Sequence, residues 1–136
     1  MMYKLICTLL LAFVSANAYS KSDICLATAI YHEANIESLQ GKEAIANVIL
    51  NRVKSDKYPN TVCGVISQKS QFSWYRKVKH NYTNETLNIA RRMLRNRHDN
   101  TNGALFFHSG KNPYWTKKMW MTKKIGNHKF YRPYKV

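Results

Sequence analysis

The sequence predicts an α+β domain, with helices through the first half and a small antiparallel sheet in the last third. Three observations carry that expectation. Apolar residues recur at helical spacing through Leu26, Ala29 and Ile30, through Ala44, Ile45, Val48 and Ile49, and through Leu87, Ala90, Met93 and Leu94. After Gly103 the character changes, and "GALFFHS" has the composition of a strand. "MWMTKKIGNHKFYRPY" then reads as a hairpin turning at Gly126-Asn127, a favoured two-residue connection. Helices followed by strands, rather than alternating with them, give a helical lobe and a β lobe. A cleft between two lobes is the natural place for a ligand.

The elements follow in chain order. Residues 1–18 begin with one lysine, Lys4, continue as an apolar run from Leu5 to Val14, and end in Ala16-Asn17-Ala18. That is the pattern of a secretory signal peptide cleaved after Ala18, and the run is too short for a stable bilayer anchor. Residues 19–136 are then one domain, expected in the periplasm or outside the cell. Ser22 or Asp23 is placed to N-cap a first helix running to about Ala34, with Asn35 as a left-handed cap. A second helix spans about Leu39 to Lys54, with Gly41, Ala44, Ile45, Val48, Ile49 and Arg52 as its inner stripe. Val62, Val65 and Ile66 mark a short helical turn, and "SQKSQFSWYRKVKHNY" is an irregular basic and aromatic loop. A further helix runs from about Asn84 to Asn96, its outer face carrying Arg91, Arg92, Arg95 and Arg97. "GKNPYW" is a loop before the hairpin.

Of the three cysteines, Cys7 leaves with the leader and Cys25 and Cys63 remain. An even pair in an exported chain points to a disulfide, and the alternative is two buried thiols. The chain carries 22 Lys and Arg against 7 Asp and Glu, a formal charge of +15, of which only Lys4 lies in the leader. Such a surface attracts polyanions: nucleic acid, anionic lipid or bacterial wall. Charge alone does not choose among them. Three Trp and nine Tyr fit a groove that holds a polymer by stacking.

One residue breaks the apolar pattern. Glu33 falls on the face formed by Leu26, Ala29 and Ile30, near the end of its helix. The carbonyl end of the helix and apolar neighbours both disfavour its ionised form. A carboxylic acid kept protonated near neutral pH suits general-acid cleavage of a glycosidic bond. The alternative is an ion pair with one of the many Arg or Lys residues. A second acid for a two-carboxylate mechanism is hard to find. Asp23 is a helix cap, Glu43 and Glu85 sit early in helices, Asp56 and Asp99 lie in turns, and Glu37 supports the start of the second helix. A single-acid mechanism therefore carries weight, in which one Glu protonates the leaving oxygen and then deprotonates a hydroxyl of the sugar itself. Metal chemistry is poorly supported. His32, His80, His98, His108 and His128 are scattered, and "HEANI" is not H-E-x-x-H. No metal or cofactor is expected.

The blocks together resemble a known family. "CLATAIYHEANIESLQGKEAIANVILNRV" resembles the opening motif of the spore-cortex-lytic (SleB-like) cell wall hydrolases, and "YPNTVCGVISQKSQFSW" is similar to their second block. "GALFFHS", "NPYW" and "IGNHKFYR" look like the closing blocks, so the resemblance runs from Cys25 to Arg132. It implies a lysozyme-like two-lobed fold related to the lytic transglycosylases. It also implies cleavage of the MurNAc-GlcNAc bond of peptidoglycan, with Glu33 as the catalytic acid. Tyr31, Gln71, Phe72 and His108 fall on motif positions that either line the cleft or pack. Trp115 and Tyr131 either stack on sugar rings or pack between the lobes. The sequence departs from the family at Asn35-Ile36, where a basic residue and Gly are usual, and at Ser38, where Pro is common. A β-branched Ile does not easily take the positive φ that Gly allows, so the loop after Glu33 is expected to follow a different path.

The expected partner is the peptidoglycan glycan strand, with no specific nucleic acid, no stable membrane anchor after cleavage, and a monomeric protein. An exported wall-cutting domain suits a phage or prophage lysis enzyme and equally a bacterial wall-remodelling enzyme. The competing reading is a non-catalytic cationic binder of wall, membrane or nucleic acid. A secreted nuclease lacks the clustered carboxylates of a two-metal site.

Overall fold

The computed structural model describes residues 18–69, 71–76 and 80–135. Apart from Ala18, the leader predicted at residues 1–18 lies outside the described residues. Four helices come first: α1 (Lys21–Ala34), α2 (Leu39–Lys54), α3 (Val62–Ser67) and α4 (Asn84–Arg95). Strand β1 (Phe106–Ser109), a 3₁₀ turn (Tyr114–Lys118), and strands β2 (Met119–Ile125) and β3 (His128–Pro133) follow. The sheet is antiparallel in the order β1-β3-β2. Both the α+β class and the split into helices and sheet are as the sequence predicts.

Helix α1 starts earlier than expected. Ser20, not Ser22 or Asp23, is the N-cap, accepting from the Asp23 N–H at 3.1 Å. The Asp23 carboxylate accepts the Ser20 N–H in return at 2.9 Å. This reciprocal capping box needs an acid three residues after the cap, which Ser20 has and Ser22 lacks. The other end also differs. Asn35 has φ −58°, right-handed rather than left-handed, and the Glu37 N–H closes the turn on Ala34 O at 3.0 Å. No positive φ is needed, so an exposed Ile36 is tolerated in this turn.

Helix α2 is capped by Ser38, whose side chain accepts the Gly41 N–H. The predicted inner stripe, Arg52 included, is buried. Helix α1 packs on α2, α3 and α4, and Leu26, Ile30, Ile45, Ile49 and Val65 meet in one core. Phe130 of β3 belongs to the same core and joins sheet to helices. Cys25 and Cys63 form a disulfide that fastens α1 to α3.

The lobes are held together by polar residues of α2. Asn47, fully buried, donates to His98 O at 3.0 Å and to Asn100 Oδ1 at 3.1 Å. One turn on, Asn51 donates to Asp99 Oδ2 at 3.0 Å and Ala104 O at 2.9 Å. Arg97 completes the set, donating to the side-chain oxygens of both Asn47 and Asn51. The sequence placed Arg97 on the outer face of the last helix. In the fold it lies past the helix end and turns inward, because these two amide oxygens need a donor. Arg92 is taken by Glu43 at 2.6 Å.

Replacing both Cys25 and Cys63 by Ala is expected to cost about 4 kcal/mol of unfolding free energy through the restored freedom of the unfolded chain. Urea denaturation of the two forms measures it. A loss under about 1 kcal/mol would show that the helical core holds α3 without the bond.

Candidate functional site

Glu33 lies in the last turn of α1, at the lip of the helical lobe, and is half-buried. Its Oε1 accepts a hydrogen bond from Trp74 Nε1–H at 2.8 Å. The indole is itself held in place, stacked on the His32 ring with centroids 4.6 Å apart and tilted against Phe72 at 5.8 Å. Burial pushes the Glu33 carboxyl above its ordinary range, while the Trp74 hydrogen bond and the nearby Arg52 charge pull it part of the way back.

Arg52 is the second charged residue on a buried face. It projects from α2 and is 4 % exposed. Its Nε donates to Leu105 O at 2.8 Å and its Nη1 to Gln71 Oε1 at 3.1 Å. The guanidinium carbon lies 5.2, 5.8 and 5.4 Å from the ring centroids of Tyr58, Phe72 and Phe106. An unpaired buried cation would be costly, and these carbonyl oxygens and aromatic faces replace its water.

Glu33, Arg52, Gln71, Phe72, Ser73, Phe107, His108, Ser109 and His128 line a cleft of about 240 Å³ between the lobes. Gln71, Phe72 and His108 are therefore brought together with Glu33 in this cleft. Tyr31, Trp115 and Tyr131 are not among the lining residues. Tyr31 is half-buried and stands edge-on to His32. Tyr131 is 4 % exposed, its hydroxyl 2.9 Å from His108 Nε2 and its ring stacked on His108 and edge-on to Trp115. Trp115 packs against Phe106, His108 and Tyr131. Both aromatics pack against His108, Tyr131 from the central strand β3 and Trp115 from the 3₁₀ turn.

Apart from Asp56, which lies outside the cleft, the remaining carboxylates have other partners. Asp23 caps α1. Glu43 and Glu85 pair with Arg92 and Lys42. Asp99 organises its own loop through Thr101 and Gly103, and those hydrogen bonds hold it below the usual range despite burial. Glu37 does not serve the start of α2, where Ser38 is the cap. It is buried against His128, with Oε1 3.4 Å from Nδ1. Burial pushes His128 below its ordinary value and Glu37 opposes that shift. Gly126 suits this turn, because its φ of 56° is one that L side chains rarely adopt and a Cβ would also meet Glu37 Oε2.

Trp74, Arg52 and His128 are functional neighbours that sequence reasoning missed or read otherwise. Arg52 carried the same signal as Glu33, a charge on an apolar stripe, but was taken as core. Trp74 lay in a quoted block without a role. His128 had no signal beyond its place after the turn.

Comparison with known proteins gives a consistent result. The sequence profile of the cell wall hydrolase family matches residues 36–131 and so begins just after Glu33. The spore cortex-lytic enzyme of Bacillus cereus is 40 % identical over 121 residues, which cover 84 % of this chain and 46 % of that protein. The chain thus spans about half the length of the curated relatives it matches. The catalytic domain of the Bacillus cereus SleB protein superposes with a TM-score of 0.72 at 37 % identity, covering 85 % of this chain and 94 % of that one. The catalytic domain of the germination-specific lytic transglycosylase SleB from Bacillus anthracis gives 0.73 at 32 % identity, covering 85 % and 98 %.

Two expectations follow from the geometry. Trp74→Phe removes the hydrogen bond that favours ionised Glu33 while burial remains, so the alkaline limb of any Glu33-dependent activity should move to higher pH. A pH–rate profile of the two forms decides it, and an unmoved limb would remove Trp74 from the control of Glu33. The second concerns stability. A carboxyl raised by burial contributes stability that is fully present below its unfolded-state pKa and lost as pH rises through its folded-state pKa. Gln stays neutral throughout. The Tm of Glu33→Gln relative to the parent should therefore climb as pH rises through that window, as calorimetry across pH would register. A difference that stays flat with pH would mean that burial does not penalise the carboxylate.

Proposed function

The chain belongs to the cell wall hydrolase family, and on that premise we propose that it cleaves the MurNAc-GlcNAc bond of peptidoglycan as a lytic transglycosylase, with Glu33 as acid and then base. The observation that carries the reading is a lone carboxyl in the cleft, raised by burial and gripped by Trp74. Among the described residues no second carboxylate lines that cleft.

The chemistry fits one acid. Protonated Glu33 gives its proton to the glycosidic oxygen as the C–O bond breaks, and positive charge spreads over the sugar ring carbon and oxygen. The Glu33 carboxylate so formed takes the proton from the 6-hydroxyl of the same sugar, whose oxygen closes on the anomeric carbon. An anhydro ring results, Glu33 is protonated again, and no water is consumed. Trp74 and Arg52 favour the carboxylate form, which lowers the energy of the intermediate. Burial favours the acid form, which begins the cycle. A group used in both states needs this balance.

In the same reading, residues 1–18 export the domain to the wall side of the membrane. Among the described residues no helix is long and apolar enough to cross a membrane. A second reading, cationic binding without catalysis, draws on a shallow basic hollow of α4 lined by Arg91, Arg92, Arg95 and Asn96.

Mass spectrometry of muropeptides released from purified sacculi separates them. The parent chain should release anhydro-muropeptides, and Glu33→Gln should lose at least about 10²–10⁴-fold in rate while still binding sacculi. Reducing-end fragments would instead require an activated water. Binding without release by the parent would favour the cationic binder.

A further inference from the structure

We propose that the molecule carries a second binding site, a cationic groove beside the cleft that takes the carboxylates of peptide stems borne by the glycan strand. The proposal rests on the glycan-cleaving reading and gives a ligand to a surface which that reading leaves unused. The groove measures about 920 Å³, well above the 240 Å³ of the Glu33 cleft. It runs from the end of α2 across to β1 and the end of β3. Its polar rim holds Lys54, Lys57, Arg132 and Lys135, and its apolar side is made by Tyr58 and Phe106.

Among the described residues, no ion pair neutralises the charge of this groove. Asp56 is the carboxylate among the lining residues, against four cations. None of those four takes part in an ion pair among the described residues. Arg132 lies over the Trp120 ring at 5.4 Å, which fixes its position without neutralising it. Lys54 also complements the carbonyl end of α2. Lys57, Arg132 and Lys135 lie outside that helix, so its dipole gives no account of them. An anionic ligand does.

Position selects the ligand. Arg52 lines the cleft and packs against Tyr58 and Phe106, two rings that line the groove. Its guanidinium faces Phe72 and Gln71 on the cleft side and Tyr58 and Phe106 on the groove side, each ring within 5.8 Å. A peptide stem of four residues extends by about 3.4 Å per residue, enough to pass Arg52 from a sugar held at Glu33. Exposed ion pairs are individually weak. A stem tethered to a bound sugar meets the groove at an effective concentration in the millimolar range, which offsets that weakness. An anionic wall polymer that is not attached to the bound sugar gains nothing of the kind.

The test uses the full chain carrying Glu33→Gln as a non-cleaving binder. Its ligands are soluble glycan fragments with their peptide stems and the same fragments stripped by an amidase. Calorimetric titration at low salt should show the stem-bearing form bound about five- to tenfold tighter, with the preference shrinking as salt rises. Adding K57E and K135E should bring the ratio near one, and K57A with K135A should bring it part of the way. Circular dichroism verifies that each variant is folded. Equal affinity for the two ligands, or a preference intact in both double variants, overturns the groove. Tighter binding of a phosphate-rich wall polymer without any stem preference also overturns it. A parallel digest of stem-free strands by the parent chain tests cleavage alone. Stem preference without cleavage would sink the proposed function and leave the groove, and cleavage without stem preference would do the reverse.

Discussion

The buried guanidinium of Arg52 is the constraint on which the rest of the structure depends. It reaches from α2 to Leu105 O just before β1, and so sets where the sheet meets the helices. It also holds Gln71 of the irregular segment and lies against Phe72. A cation this deep must be surrounded by oxygens and aromatic faces. Satisfying it therefore draws three separate stretches of chain to one point. Its charge then acts on Glu33, opposing the effect of burial on that carboxyl. One side chain thus serves as joint between lobes, as electrostatic control, and as a wall of the cleft.

The joint is reinforced by groups that leave little room for the lobes to slide. Asn47 and Asn51 lie one turn apart on α2 and bind the loop that leads into β1 through side-chain amides. Buried polar groups of this kind are costly when unpaired and directional when paired. They specify one arrangement, where an apolar contact would accept several. The disulfide does the equivalent for α1 and α3, about two turns before Glu33 on the same helix. A general acid works over hydrogen-bond distances, so a rigid platform under Glu33 is useful to the chemistry proposed for it.

Much of this was legible in the sequence, though unevenly. The bounds of α2, the hairpin turn at Gly126-Asn127 and the Cys25–Cys63 pair follow from local rules: apolar period, turn chemistry and an even cysteine count. Glu33 stood out because it interrupts an apolar face. The N-cap of α1 was misplaced because "SKSD" offers two serines, and only reciprocal bonding with Asp23 selects the first. Asn35 was expected in a left-handed turn because Asn tolerates one, yet a right-handed turn closed by the Glu37 N–H suffices. Glu37 was given to the nearest helix start, while its partner His128 lies at the far end of the chain.

By itself, the sequence determined the elements, their order and the position of the unusual acid. These depend on periods and caps that act within a few residues, and a local pattern records them directly. Tertiary structure alone decided which residues surround Glu33. The Trp74 donor lies 41 residues away, in an irregular segment with no period to read. Arg52 shares a face with true core residues, and only packing shows that it closes one side of a cleft. Tyr131 has the composition of a sugar-stacking residue, but its place against His108 comes from the β1-β3-β2 strand order, which no local signal encodes. Long-range pairing follows from how buried polar groups find partners once the chain is compact, and such choices leave no trace in spacing along the chain.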